Sequence, residues 1–238
     1  MSAFRNSIVL GGSVSANRIE GESGAIQKFS FCSLEASQCA YTFHPSMWAP
    51  DQNNSSAWSE VNCGRESSSM RLNTANQCAQ WLESQTNKVR ALGFAVQELD
   101  LRHFFGRTDR LVDTLAQFDA VWGNGGNAFI LRRAMKQSRF DLAIAESLRH
   151  DRIVYSGFSA AAVIASSTLH ALDHVSDPIE VPPGYDPTVV WDGLGILPFS
   201  LVVHFQSDHP ESHKVGQEVA FYERHDMEYR TLKDGEAL

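Results

Sequence analysis

The chain reads Val121-Trp-Gly-Asn-Gly-Gly-Asn-Ala-Phe129 and, further along, Tyr155-Ser-Gly-Phe-Ser-Ala-Ala-Ala162. In each stretch a short apolar run predicts a strand that leads into a tight turn, and the turn begins a helix. The first turn is built mostly of glycine, and the second carries one serine, Ser159, at its tip. Nucleophilic acyl chemistry needs a serine on a sharp strand-to-helix bend, next to a turn with accessible backbone N–H groups.

Apolar, β-rich runs alternate with helical patterns along the rest of the chain. This alternation predicts an α/β fold, a three-layer sandwich with a mostly parallel central sheet. Strands are predicted at residues 8–10, 94–101, 120–122, 153–156 and 201–204. Helices are predicted at roughly 75–92, 108–117, 128–137, 140–150, 159–167 and 211–224. We expect residues 1–238 to form a single domain.

Two regions depart from this alternation. Residues 49–73 are rich in Ser, Asn and Gln with little apolar periodicity, and they are predicted to be a polar surface loop inserted into the domain. From Tyr229 onward the pattern predicts a strand, an Asp-Gly turn and the first residues of a returning strand. The second arm is short, so we expect a truncated C-terminal hairpin.

Composition excludes several classes of function. The formal net charge is −8, which argues against general nucleic-acid binding, because that binding relies on clustered Lys and Arg. No apolar run reaches the roughly 20 residues needed to cross a bilayer, so no membrane partner is expected. The first residues lack the pattern of a secretory signal, and the four cysteines show no Cys-x-x-Cys pair. A cytoplasmic location is therefore predicted.

The local sequence allows two interpretations of Ser159. In the first, Ser159 is a nucleophile. The residues two positions before and after it, Gly157 and Ala161, are small enough for a sharp turn. As a simple N-cap it would bond the first turn of the following helix. The glycine turn favours the nucleophile, since the N–H of Gly126 and the N–H of Ala160 could together form an oxyanion hole.

A nucleophilic serine needs a base and an acid that orients the base. His204 ends an apolar strand, where α/β sheets gather their active sites, and is the best candidate base. The candidate acids are Asp173, Asp177, Asp192 and Asp208, and their spacing along the sequence does not identify which one orients the histidine. A second reading groups His204, Asp208, His209 and His213 as metal ligands. We favour no metal site, because Pro210 separates the last two histidines and a solvated loop and helix face explain them.

At these residues the chain resembles the dipeptidase E (alpha-aspartyl dipeptidase) family of serine peptidases, whose fold is related to class I glutamine amidotransferases. The similar motifs are Gly125-Gly-Asn-Ala-Phe129, Gly157-Phe-Ser-Ala-Ala-Ala162, Ser176-Asp-Pro178, Leu194-Gly-Ile-Leu-Pro-Phe199 and Val203-His-Phe205. They occur in the family's order and cover roughly residues 90–238. Two residues depart from the family pattern: Ala161 replaces the glycine after the serine turn, and Asn124 replaces the first glycine of the glycine turn.

The resemblance implies a class I glutamine amidotransferase-like fold and a role for each site residue. Ser159 would be the nucleophile, His204 the base and Asp177 the orienting acid, with Gly126 and Ala160 as oxyanion donors. It implies a small peptide substrate, with Asp-Xaa as one candidate, and no cofactor or metal. A homodimer is one candidate assembly. Because of Ala161 and Asn124, a non-catalytic domain that binds a small carboxylate or amide ligand stays open as the alternative.

Overall fold

The computed structural model describes the backbone of residues 29–32, 57–62, 75–91 and 94–238, and the side chains of residues 82–91 and 94–238. Seven strands are described: β1 (Phe29–Cys32), β2 (Ala57–Asn62), β3 (Ala95–Asp100), β4 (Ala120–Gly123), β5 (Val154–Phe158), β6 (Ser200–Val202) and β7 (Tyr229–Thr231). Six α-helices are described: α1 (Ala75–Ala91), α2 (Thr108–Leu115), α3 (Ala128–Ser138), α4 (Phe140–Arg149), α5 (Ala160–Val163) and α6 (Ser212–Arg224). Short 3-10 helices cover Leu101–Phe104 and Leu172–His174.

Five strands form one sheet in the order β1-β5-β4-β2-β3, and all of their pairings are parallel. Strands β6 and β7 form a second, two-stranded parallel sheet. The structure therefore confirms an α/β fold with parallel strands and with helices between them. In the described residues no helix is both long enough and apolar enough to span a bilayer.

The predicted loop at 49–73 is wrong for six residues. Strand β2 lies inside that range and pairs with β4 on one side and with β3 on the other. Backbone N–H and C=O groups form the hydrogen bonds between strands, so a stretch without a clear apolar pattern can still be an internal strand of the sheet. The rest of 49–73 and the strand predicted at 8–10 lie outside the described residues, while β1 was not expected from the sequence.

The core lies beneath the glycine turn and the serine turn. Strands β4 and β5 are buried along their whole length, as their apolar runs predict. Helix α3 contributes Phe129, Leu131 and Met135 to the same core, each inaccessible to solvent. Tyr155 is also fully buried, and its hydroxyl donates a 3.0 Å hydrogen bond to the carbonyl of Ala161. That bond ties β5 to the helix that follows it.

Candidate active site

The glycine turn and the serine turn lie side by side. Strands β4 and β5 are neighbours, and Gly123 at the end of β4 stands opposite Gly157 in β5. The carboxyl ends of parallel neighbours meet at one edge of a sheet, so both turns emerge at the same place. A methyl group on Gly125 would lie 3.1 Å from the Cβ of Ser159. Glycine at this position avoids that tight contact and so favours the close approach of the two turns.

Ser159 occupies a strained turn between β5 and α5. Its φ of 50° and ψ of −117° fall where side chains are rarely tolerated, and a sharp strand-to-helix bend imposes this conformation. The side chain makes no capping hydrogen bond to α5, so the structure does not support the N-cap reading. Instead, Oγ of Ser159 lies 3.2 Å from Nε2 of His204. The strain thus holds the hydroxyl toward a histidine.

The parallel pairing of β6 and β7 positions His204. The N–H of Leu232 donates to the carbonyl of Val202, and the N–H of Phe205 donates to the carbonyl of Leu232, which extends the ladder past both strands. His204 lies between these two bonds with a φ of 60°. Its side chain is almost completely buried. The sequence-based prediction that His204 reaches Ser159 therefore agrees with the geometry.

The carboxylate on the other side of the imidazole belongs to Asp234. Its Oδ1 lies 2.7 Å from Nδ1 of His204. Asp234 follows β7 as His204 follows β6, so the carboxyl ends of two paired parallel strands bring them together. The backbone N–H of Asp234 donates a 2.7 Å hydrogen bond to Oγ of Ser207, which holds the Asp-Gly turn against the strand end. Sequence reasoning overlooked Asp234 because it treated this turn as part of a truncated hairpin.

Asp177 does not contact His204, and the structure corrects that prediction. Oδ1 of Asp177 accepts a hydrogen bond from the N–H of Ile179, two residues further along the chain. Its backbone carbonyl accepts a 2.8 Å bond from Nδ2 of Asn127. An imidazole has a single Nδ1, and Asp234 is its partner. None of the other carboxylates considered from the sequence, Asp173, Asp192 and Asp208, is bonded to it in the described residues.

Asn127 joins the glycine turn to helix α3. Its Oδ1 accepts hydrogen bonds from the N–H groups of Phe129 and Ile130, as expected of an N-cap. The preceding residue, Gly126, has a φ of 130°, which is accessible mainly to glycine. Gly126 and Ala160 both line the cavity beside Ser159. The two candidate oxyanion donors therefore border the space beside the serine.

Ala161 fits a space that two glycines leave open. It is fully buried, and its methyl group would come within 2.5 Å of a Cβ on Gly123 and 2.7 Å of a Cβ on Gly157. Such distances are too short for real carbon contacts, so Ala161 is compatible only with glycine at both positions. The methyl group of Ala161 therefore occupies space that the two glycines leave free.

The histidine-rich segment after β6 contributes to the same site. The ring of His209 stacks on that of His204 at 3.7 Å, and burial together with the neighbouring His204 lowers the pKa of His209. His204, His209 and Glu211 offer three ligand atoms within 4.8 Å of one another. Because both ring nitrogens of His204 are already hydrogen-bonded, a metal there would have to break the link to Ser159 or to Asp234. The predicted partners Asp208 and His213 are exposed outside this group.

The cavity next to Ser159 is small, about 20 Å³, and opens to solvent. Helix α6 forms one wall and presents Glu211 from its N-terminal end and Glu218 from its buried face. Sequence reasoning missed Glu218, although a signal existed. The buried stripe of α6 is Val215, Glu218 and Tyr222, so a carboxylate occupies an otherwise apolar helical position.

Comparisons with known proteins identify the family of this chain and a similar fold. The model of the family described as Peptidase family S51 matches residues 72–238. The fold resembles a 1.5 Å crystal structure of a candidate peptidase E from Listeria monocytogenes EGD-e, with a TM-score of 0.66 and 18% identity over 90% of this chain and 93% of that chain. A peptidase from an acI-B1 Actinobacterium matches with a TM-score of 0.48 and 13% identity over 79% and 73% of the two chains. No curated protein matches the sequence.

Proposed function

The chain belongs to peptidase family S51 and is a serine-type peptidase, and we propose that it hydrolyses short peptides through Ser159, His204 and Asp234. The observation that carries the proposal is the continuous hydrogen-bonded line from Ser159 Oγ to His204 Nε2 and from His204 Nδ1 to Asp234 Oδ1, at 3.2 and 2.7 Å. In such a line the carboxylate orients the imidazole and stabilises it once it is protonated.

The reaction proceeds in two halves. Oγ of Ser159 attacks the scissile carbonyl carbon while its proton moves to Nε2 of His204, and the oxyanion is held by the N–H groups of Gly126 and Ala160. The C–N bond then breaks, and the departing amine takes the proton from Nε2, which leaves an ester on Ser159. Water, deprotonated by the same Nε2, hydrolyses the ester and restores the serine. Each oxyanion donor contributes on the order of 3–4 kcal/mol to the barrier reduction.

Hydrolysis of a dipeptide panel tests the proposal. We expect the wild type to release free amino acids from at least one member and Ser159→Ala to lose this activity. The panel includes Asp-Xaa peptides, which the family resemblance implies as substrates. Ser167→Ala is the matched control, because Ser167 is an exposed serine outside the cavity. Equal activity in the wild type and Ser159→Ala would show that Ser159 is not the nucleophile.

A non-catalytic domain that binds a small carboxylate or amide is the alternative. The bonding of Ser159 to His204 favours catalysis, since a serine that only shapes a turn does not need a base. A fluorophosphonate probe separates the two, because only an activated serine reacts with it. We expect labelling of the wild type and of Ser167→Ala, and none of Ser159→Ala. The three-layer arrangement, the relation to class I glutamine amidotransferases and the cytoplasmic location stay predictions from the sequence.

A further inference from the structure

A second histidine ring lies against the face of the His204 imidazole. The ring of His209 is nearly parallel to it, with 3.7 Å between the ring centroids and 7° between the ring planes. The hydrogen bonds of His204 to Ser159 and Asp234 are made by nitrogens at the edge of its ring. Rotation of the ring about its Cβ–Cγ bond would break both of them. The stacked ring opposes this rotation, because it packs on a face that the two hydrogen bonds leave open.

His209 is itself held in place by the chain that follows it. The N–H of Glu211 donates a 3.2 Å hydrogen bond to Nδ1 of the His209 ring. The N–H of Ser212 donates a 3.0 Å hydrogen bond to the backbone carbonyl of His209. Pro210 stands between them and restricts the backbone of this turn. The ring thus reaches His204 from an ordered turn, and its orientation is fixed by a bond to the main chain.

The hydrogen bond from Glu211 also fixes the protonation state of His209. A backbone N–H can only donate, so the Nδ1 atom that accepts it carries no proton and the ring is neutral. Burial and the neighbouring His204 lower the pKa of His209, whereas the carboxylates of Glu211 and Asp234 oppose this shift. A neutral aromatic face attracts the imidazolium that His204 becomes during the reaction, and a second cation there would repel it.

The turn that carries His209 also contacts the acid. Oγ of Ser207 accepts the 2.7 Å hydrogen bond from the N–H of Asp234. The N–H of Ser207 in turn donates to Oγ of Ser212 at 3.2 Å, which closes the turn. Residues 207–212 therefore touch the backbone of Asp234 through Ser207 and the ring of His204 through His209. The position of the imidazole relative to its carboxylate depends on this one segment.

The reaction includes a stage at which His204 loses one of its hydrogen bonds. Once Oγ of Ser159 forms the ester it carries no hydrogen, so it no longer donates to Nε2. Asp234 then holds the ring at Nδ1 only. We propose that His209 is a positioning residue, whose stacked ring keeps Nε2 of His204 directed at Ser159 through both halves of the reaction. This proposal rests on the proposed function, in which His204 is the base.

Two substitutions separate the ring of His209 from its hydrogen bond. His209→Asn keeps an acceptor near the position of Nδ1 for the N–H of Glu211 and removes the ring, whereas His209→Phe keeps a ring and removes the acceptor. We expect His209→Asn to lower kcat by about 10–100-fold with KM within about threefold of the wild type, because a small misplacement of a catalytic group is this costly. His209→Phe should restore kcat to within about threefold of the wild type. The control is His213→Asn, which replaces an exposed histidine of the same segment.

Proton NMR tests the same point without turnover. The proton on Nδ1 of His204, which is hydrogen-bonded to the carboxylate of Asp234, should give a downfield resonance that Asp234→Asn removes. We expect this resonance in the wild type and in His209→Phe. In His209→Asn it should broaden or disappear, because a ring that rotates exposes its proton to exchange with water. If His209→Asn does not fold, His209→Ala replaces it, since His209→Ala and His209→Phe both lack the acceptor and differ in the ring.

Three results would overturn the proposal. They are a kcat of His209→Asn equal to that of the wild type, a loss in His209→Phe as large as that in His209→Asn, and an unchanged resonance in His209→Asn. The second result would assign the role of His209 to its hydrogen bond with Glu211. Failure of the proposed function is a separate result, because it is scored by hydrolysis and labelling in Ser159→Ala, and the NMR comparison does not depend on catalysis.

Discussion

Asp234 lies 2.7 Å from the Nδ1 atom of His204, and the two residues are 30 positions apart in the chain. We expect Asp234→Asn to lower kcat/KM by about 10³–10⁴, because an amide can hold the imidazole in the wrong tautomer and does not stabilise its cation. The matched control is Asp177→Asn, which keeps the Oδ1 acceptor for the N–H of Ile179. It should stay close to the wild type. Steady-state kinetics on one dipeptide measures both, and the reverse ranking would restore Asp177 as the acid.

The contact between Ala161 and Gly123 predicts a compensating pair of substitutions. Gly123→Ala places a methyl group 2.5 Å from the Cβ of Ala161, with the next neighbour, the Tyr155 hydroxyl, at 3.5 Å. We expect Gly123→Ala alone to reduce the free energy of unfolding by about 1–3 kcal/mol. Combined with Ala161→Gly, it should cost at least about 1 kcal/mol less than the sum of the two single substitutions.

Urea denaturation of the four proteins completes this double-mutant cycle. Gly216→Ala serves as the control, because a Cβ there meets nothing within 4 Å on helix α6. It should leave stability unchanged or raise it by up to about 1 kcal/mol. Strict additivity of the two substitutions would mean that the methyl group of Ala161 does not restrict position 123 to glycine.

Arg133 anchors the segment that follows Asp177. Its guanidinium is buried, at 1% exposure for the residue, and donates to four backbone carbonyls of residues 178–188. Arg133→Met leaves these acceptors without donors, and we expect a loss of about 2–4 kcal/mol in the free energy of unfolding. Lys136→Met is the control on the same helix, since Lys136 is exposed. Similar unfolding midpoints for the two variants would contradict the anchoring role.

The raised pKa of Glu218 predicts a pH-dependent stability. Burial raises this pKa from 4.5 to about 8, so between these values the folded chain binds a proton that the unfolded chain has released. Stability from this group is therefore complete below about pH 4.5 and declines as the pH rises through about 8. Each pKa unit corresponds to about 1.4 kcal/mol.

Removing the carboxyl group should remove that decline. We expect Glu218→Gln to gain stability relative to the wild type between pH 5 and pH 9, by roughly 2–4 kcal/mol. Denaturation at pH 5, 7 and 9 measures the change, with the exposed Glu228→Gln as the control. A Glu218→Gln curve parallel to that of the wild type at all three values would argue that Glu218 titrates normally.

Local sequence pattern was sufficient to predict most residues of the candidate site. Ser159 and Gly126 lie in strand–turn–helix units of a few residues, and such units depend on apolar runs, small residues and caps that are adjacent in the sequence. His204 was accessible for the same reason, because it terminates an apolar strand. Helices α3, α4 and α6 follow their predicted ranges within a few residues, since their caps and apolar stripes are also local.

Contacts between distant segments account for what the sequence alone did not reveal. Asp234 reaches His204 only because β6 and β7 pair in parallel, and that pairing joins backbone groups without a signature in residue type. The same reason explains β2, an internal strand of the sheet that lies in a stretch rich in Ser and Asn. Glu218 lines the cavity because α6 packs Val215 and Tyr222 against Ala171 and Val202. The residues of a single turn are adjacent in the sequence and can be predicted from it. The positions of Asp234 and Glu218 depend on which strand ends and helix faces meet in the folded chain.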